Sequence, residues 1–413
     1  MGNRYFFKSA VFVLMFFVCG IFLAAQDFGI LADQSADAGA HGVSLEDPDI
    51  NYSGSIIPYI TFYMGEKSYL LLSAGFTYQV DPFFYVPEIL QTELSIGFGP
   101  NEIKLGRMQY SDPFGIIANG YFDGGMLAFD VNSASVRIGG WYTGYLFKTR
   151  ANIAMTDNEL LYLGEEVKFN SWENLENTYF APRRVLSLLG WEKFYLGGAL
   201  NMKFTALGQF DLTEANLHSQ YIIAEMALES KHVVFDLGGC YELIQDSTGL
   251  EFQEMKQALA ARIGLTFIFP GSRERRFSLR GLFTSGAFEN GLFVPFMPLT
   301  TVPQGNLLNA KISGLSVLSL NYLARPGNSF SVNWNASYFV RSDLGTYTQY
   351  PVIGINSDGY FLGPEFYLML MWNTQSGFKM NLGGGVFVPA LGDAAPNADI
   401  LWRAEISLVF SLL

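Results

Sequence analysis

Eleven ionisable side chains stand at alternating positions inside half-apolar segments of this chain: Arg137, Arg262, Arg280, Arg341, Arg403, Lys203, Lys379, Glu93, Glu225, Glu365 and Glu405. Lys104, Asp130, Asp236 and Glu242 are placed in the same way. A surface patterned like this offers two kinds of chemistry. Basic and acidic rows facing one another across a gap would create a transverse field that orients polar solutes. Alternatively, the charges pair with their neighbours, as Arg403 would with Glu405, and simply keep that face wet.

Covalent chemistry has less to work with. His41, His218 and His232 are scattered and lack metal-ligand spacing. No segment brings a nucleophile together with a His base and a polar orienter. The glycine runs Gly238-Gly239 and Gly383-Gly384-Gly385 precede no helix that would cradle a phosphate, and read better as places where strands bend. The sequence therefore predicts no enzyme, no catalytic residue, no metal and no cofactor. With 38 acidic against 25 basic residues, nucleic acid is excluded as a natural partner.

The elements that must carry the alternating charges are strands. From Ser329 to Arg341, the residues Phe330, Val332, Trp334, Ala336, Tyr338 and Val340 point one way, while Ser331, Asn333, Asn335, Ser337 and Arg341 point the other. Successive side chains of a strand alternate between its two faces. The same pattern closes the chain, where Ile406, Leu408, Phe410 and Leu412 alternate with Glu405, Ser407 and Ser411. Seventeen such segments can be traced, most of them longer than the roughly 9 to 11 residues that a tilted strand needs to cross a bilayer. Short turns such as Arg325 to Asn328 alternate with long connections around 81–88, 111–124, 146–180, 245–255, 285–309 and 342–359.

The fold class expected is all-β: a closed antiparallel transmembrane β-barrel of 16–18 strands with a polar interior. An even count demands either a cryptic strand near Ala40 to Glu46, giving 18, or one miscounted segment, giving 16. Arg107 breaks the alternation, because it shares the face of Ile103 and Leu105; Gly106 would supply a bulge that re-aims it.

The first residues differ in kind. Arg4 and Lys8 precede an apolar run from Ala10 to Leu23 that ends in Ala24 and Ala25, which reads as a secretory signal peptide over 1–25. Acylation at Cys19 is disfavoured by the bulky Phe17 and Val18 before it. Removing the leader takes away two basic and no acidic residues, and leaves Cys240 as the one cysteine, so no internal disulfide forms. Residues 26–54 are an acidic segment without Lys or Arg, which would be a plug, a periplasmic tail or part of the cryptic first strand. The barrel proper spans 55–413.

Two connections stand apart. The stretch from Phe288 to Gln304 is unusually apolar for a loop, with Phe288, Phe293, Phe296 and Met297 among prolines. Left in water it would mark an interaction site; folded inward it would form a constriction or a lipid-contact surface. The loop from Ala151 to Phe180 is strongly acidic, which a solvated outer surface explains; its oxygen ligands are too widely spaced for a Ca²⁺ loop.

Leader, amphipathic strands, alternation of short turns with long loops and an amphipathic terminal strand together resemble the porin-type outer-membrane barrels of double-membraned bacteria. The chain ends Phe410-Ser411-Leu412-Leu413 rather than on the aromatic residue usual in that group. The resemblance implies location in the cell outer membrane and passive or weakly selective diffusion of small polar solutes. It also implies contact with outer-membrane lipids, delivery to the barrel-assembly machinery through the C-terminal strand, and a possible homo-oligomer. The alternatives are a transporter of hydrophobic compounds similar to the fatty-acid transporters, whose Asn-Pro-Ala hatch signature is absent, and a surface adhesin or structural barrel.

Overall fold

The computed structural model describes residues 27–41, 49–80, 83–155, 157–160, 167, 169, 171–213, 217–246, 255–271, 273–287, 293–344, 355, 358–374 and 377–412. The leader over 1–25 and Phe288 lie outside the described residues. The strands are β1 (Asp27–His41), β2 (Asp49–Gly65), β3 (Ser68–Val80), β4 (Phe83–Phe98), β5 (Asn101–Ser111), β6 (Asn119–Val131), β7 (Ala134–Tyr142), β8 (Arg184–Tyr195) and β9 (Leu200–Asp211). They continue as β10 (Leu217–Glu229), β11 (Val233–Asp246), β12 (Lys256–Ile268), β13 (Arg275–Thr284), β14 (Leu315–Ala324), β15 (Phe330–Arg341), β16 (Phe361–Asn373), β17 (Phe378–Phe387) and β18 (Leu401–Leu412).

Each strand pairs antiparallel with its neighbour in sequence, and β1 pairs with both β2 and β18, so the 18-stranded sheet closes on itself. The closing seam runs from Ile30↔Leu412 to His41↔Leu401. The first strand therefore lies over Asp27–His41 rather than near 40–46, and the described part of the acidic segment is barrel wall rather than plug or tail. Its alternation is hard to read because the outward residues are small or polar: Ala32, Gln34, Ala36 and Ala38. Gln34 is accommodated on that face because the Tyr52 hydroxyl donates to its Oε1 at 2.6 Å and the Tyr78 hydroxyl donates to the same atom.

The outward face is apolar all round. Ile138, Leu189, Ile222, Ile263 and Leu318 are each close to half exposed with nothing packed over them, as lipid-facing residues must be. At the short-turn end the outer face gathers aromatic rings, among them Trp372, Phe378 and Phe410, whose centroids lie 6.2 and 5.1 Å apart in succession. Such rings form the interfacial girdle of membrane barrels.

The β4–β5 pairing is the exception to a continuous wall. Its ladder covers only Leu94↔Leu105 to Phe98↔Asn101, so beyond Leu94 β4 pairs with β3 alone, and beyond Leu105 β5 pairs with β6 alone. Here β4 starts at Phe83, shortening a connection expected to run over 81–88. Pro87 belongs in this strand because proline is tolerated where one neighbouring strand is missing.

Removing β18 would leave β17 and β1 with unpaired backbone groups, each costing several kcal/mol in hydrocarbon. A chain lacking residues 401–413 should be degraded rather than inserted. Immunoblotting of outer-membrane fractions checks this, and normal levels of the truncated chain would contradict the closure by β1 and β18.

Candidate functional site: the filled and charged lumen

Register places the inward residues of neighbouring strands in rows. Between β7 and β12 these rows bring opposite charges together. Arg137 meets Glu192 at 3.3 Å, Lys203 lies 3.9 Å from both Glu192 and Glu225, and Arg262 reaches Glu225 at 3.2 Å and Asp236 at 3.4 Å. Three cations and three anions thus form one neutral ladder along the wall. Lys104 sits 2.9 Å from Glu93, which also accepts from the Tyr69 hydroxyl at 2.5 Å. Arg403 lies 3.2 Å from Glu405 and 3.6 Å from Asp37. The wall of β14 and β15 is wet through neutral side chains: Ser319 and Ser337 share a hydrogen bond at 2.9 Å, and the Asn321 amide donates to Asn333 at 2.7 Å.

Of the inward cations, Arg280 is exposed and makes no ion pair among the described residues, and Lys379 is partly exposed near the short-turn end. Two candidates for the pore lining are not on an open surface. Arg341 is buried and donates to the Gly359 carbonyl at 3.2 Å. Glu365 is fully buried beneath a loop.

The long-loop half of the lumen is filled. The β5–β6 connection turns inward around Asp112, whose carboxylate accepts from the backbone N–H groups of Phe114, Gly115, Ile117 and Ala118 at 2.7 to 3.1 Å. The Asp-Pro-Phe-Gly turn at 112–115 was the one sequence signal for this inward loop. The β13–β14 connection enters beside it. Thr300 donates its N–H to the Ile117 carbonyl at 3.0 Å, and the Leu299 carbonyl accepts from Ala154 at 2.9 Å. Phe114, Ile117, Ile153, Phe296 and Leu299 then pack on the inward Phe122, Trp141, Leu186, Leu207 and Tyr221 of the wall. The β7–β8 connection, which contains the short helix α1 (Lys148–Ala151), joins this core through Ile153.

Two buried carboxylates fasten the β13–β14 loop to the wall. Glu242 accepts from the Met297 N–H at 2.9 Å, and the Tyr221 hydroxyl donates to the Met297 carbonyl at 2.5 Å. Glu365 accepts from the N–H groups of Asn306, Leu307 and Leu308 at 2.7, 2.9 and 3.0 Å. Leu307 and Leu308 bury themselves against Val317, Phe339, Phe387 and Leu401. The apolar stretch around Phe296 and Met297 is therefore folded into the barrel, with Phe293 at its start bridged to Gln257, rather than left as a patch in water.

A third arrangement closes the gap between β4 and β5. Gly106 adopts φ +101°, and a Cβ there would lie 1.9 Å from the Thr92 carbonyl oxygen, so only glycine fits. The chain bends at that point and Arg107 turns into the gap. Its guanidinium pairs with Asp123 through two contacts of 2.8 Å and donates to the carbonyls of Ile89 and Tyr145. The Tyr179 hydroxyl donates to the Pro87 carbonyl at 2.9 Å, and Arg150 meets Glu88 at 2.8 Å. Burial, with the Glu88 charge beside it, pushes the Tyr179 phenol up to about 12, so it remains a donor at neutral pH. Side chains here take over the backbone carbonyls that a neighbouring strand would have paired. Glu88 and Arg150 carry no sequence signal of these roles; only the tertiary contacts reveal them.

Comparison with solved structures finds the same architecture. OccK2 (OpdF) of Pseudomonas aeruginosa superposes with a TM-score of 0.60 at 11% identity, covering 94% of this chain and 99% of that one. OccK5 (OpdH) of the same organism gives 0.57 at 11% identity over 94% and 99%. The outer membrane protein opdK, also from Pseudomonas aeruginosa, gives 0.55 at 9% over the same shares. The fold is that of a porin-type outer-membrane barrel. No protein-family model and no curated protein matches the sequence.

Two outcomes follow from the buried charges. Arg107→Ala leaves Asp123 without its cation and two carbonyls without donors, a change that costs about 3–5 kcal/mol for a buried pair; thermal unfolding in detergent should show a marked drop in stability. Glu365→Ala removes the acceptor of three loop N–H groups. Single-channel recordings should then show higher and noisier conductance from a barrel that still inserts.

Proposed function

We propose that the protein is an outer-membrane channel for passive, weakly selective diffusion of small polar solutes. The observation that carries this reading is the division of the lumen. An 18-stranded barrel is wide enough for an aqueous channel unless something fills it, and here three inward connections occupy the long-loop half while the remaining wall stays polar, charge-paired from β7 to β12 and lined by Ser and Asn on β14 and β15. That leaves a restricted wet path beside the loops. The outer face suits a bilayer, and lipids are its natural surroundings. The C-terminal strand, with its outward Ile406, Phe410 and Leu412, would be what the assembly machinery engages.

One of the similar structures, OccK2, was solved in complex with glucuronate, with 12% identity to this chain. A small polar molecule in a barrel of this shape supports the same class of cargo here. Transport of this kind needs no covalent step, and the reading assigns no catalytic role to any residue.

The excess of acidic over basic residues, 38 against 25 in the full sequence and wider without the leader, and the acidic residues at the long-loop mouth, such as Asp49, give the channel a modest cation preference. Screening lengths fall from about 10 Å at 0.1 M salt to about 3 Å at 1 M. Reversal potentials in planar bilayers under a salt gradient should therefore favour cations at low salt and approach zero selectivity at high salt. A purified protein that inserts but carries no current at any salt would overturn the proposal.

A further inference from the structure

A cavity of about 420 Å³ lies at the long-loop end between the inner face of β18, β1 and β2 and the loop segment around Leu307. Its chemistry follows from register. Arg403 of β18 pairs across to Gly39 of β1, and Gly39 pairs across to Asp49 of β2. Three consecutive strands thus present, in one row, a cation, no side chain, and an anion. With strands about 4.8 Å apart, the Cα atoms of Arg403 and Asp49 are roughly 10 Å apart with an open slot between them. A Cβ at position 39 would lie 2.9 Å from the Trp402 carbonyl oxygen, so the slot is kept by the close approach of the backbones.

Both ends of the slot have hydrogen-bonding capacity to spare. Asp49 is exposed and has no hydrogen bond or ion pair among the described residues. One row below, the Asn51 amide nitrogen donates to Asp37 at 3.4 Å, which turns the amide oxygen away as a further acceptor. At the other end Arg403 is shared among Glu405 at 3.2 Å, Asp37 at 3.6 Å and the Asn306 carbonyl at 3.5 Å, and its side chain stays one-third exposed. Leu307 and Leu401 give the cavity an apolar side.

We propose that this cavity is a binding site for small zwitterions, with the ammonium at Asp49 and Asn51, the carboxylate at Arg403, and the connecting methylenes over Gly39 against Leu307 and Leu401. The proposal rests on the channel reading, since a solute reaches the cavity through the long-loop mouth. An ammonium has three donors and no acceptor, which matches the acceptors at the β2 end. The carboxylates of Asp37 and Glu405 already face Arg403, so a solute with only a negative charge meets repulsion there. The ammonium supplies most of the attraction and the carboxylate orients it.

The test uses the intact barrel and three probes with the same four-carbon chain: γ-aminobutyrate, butylammonium and butyrate. Saturation-transfer NMR on the detergent-solubilised protein reads binding without needing current, and bilayer recordings read occlusion of the channel. γ-Aminobutyrate should bind and interrupt the current at concentrations at least tenfold lower than butyrate and several-fold lower than butylammonium. Asp49→Asn, at an exposed position, should weaken γ-aminobutyrate binding at least tenfold in the saturation-transfer measurement while the barrel inserts as before. Equal binding of butylammonium and γ-aminobutyrate would overturn the role of Arg403, and no effect of Asp49→Asn would overturn the site. A conducting channel with no binding of γ-aminobutyrate overturns this proposal and leaves the channel reading standing. Binding to a barrel that never conducts overturns the channel reading instead.

Discussion

In hydrocarbon, a backbone N–H or C=O has no water to fall back on, so every one at membrane depth must be paired within the protein. The pairing of β1 with both β2 and β18 meets that demand for the sheet edges. The place where the ladder opens between β4 and β5 illustrates the same constraint. There the carbonyls of Pro87 and Ile89 are taken by the Tyr179 hydroxyl and the Arg107 guanidinium. An Arg on the outward parity of a strand would be costly in lipid; paired with Asp123 and covered by the β7–β8 connection, it fills the gap instead.

Closure fixes which face each residue presents, and the inward face is then free to differ from one part of the wall to another. The ladder from Arg137 to Asp236 is charge-neutral, so its members hold water and one another more than they bind a counter-charge. Over β6 to β12 and again over β14 to β18 the long-loop half of the wall carries apolar side chains that need a cover. The inward connections provide it, and Glu242 and Glu365 tie the largest of them down by accepting backbone N–H groups that would otherwise be orphaned inside the barrel. A buried, unmade hydrogen bond costs about 1–3 kcal/mol, so a loop held by several such bonds keeps one position.

The strands were legible wherever the two faces differed in polarity. In β15 the alternation of Ser331, Asn333 and Asn335 with Val332 and Trp334 announces both strand and lumen, and the structure agrees residue by residue. In β1 the outward alanines and Gln34 blur that contrast, and the strand was expected some residues too late. In β8 the inward Leu186 and Leu188 are as apolar as the outward Val185 and Leu189, because a folded-in loop covers them; a sequence carries no mark of that cover. The pairing of Arg403 with Glu405 could be read from adjacent same-face positions. The burial of Glu365 could not, since its partners are loop amides nearly sixty residues away.

The central claim is that the described loops, not the width of the sheet, set the size of the path. Sizing with neutral polymers of graded mass tests it most directly, by recording which of them enter the conducting channel and lower its current. The account predicts a cut-off at the smallest polymers, and a much larger one once the segment 293–310 is deleted from a barrel that still inserts. Entry of large polymers into the wild-type channel, or an unchanged cut-off after deletion, would contradict it.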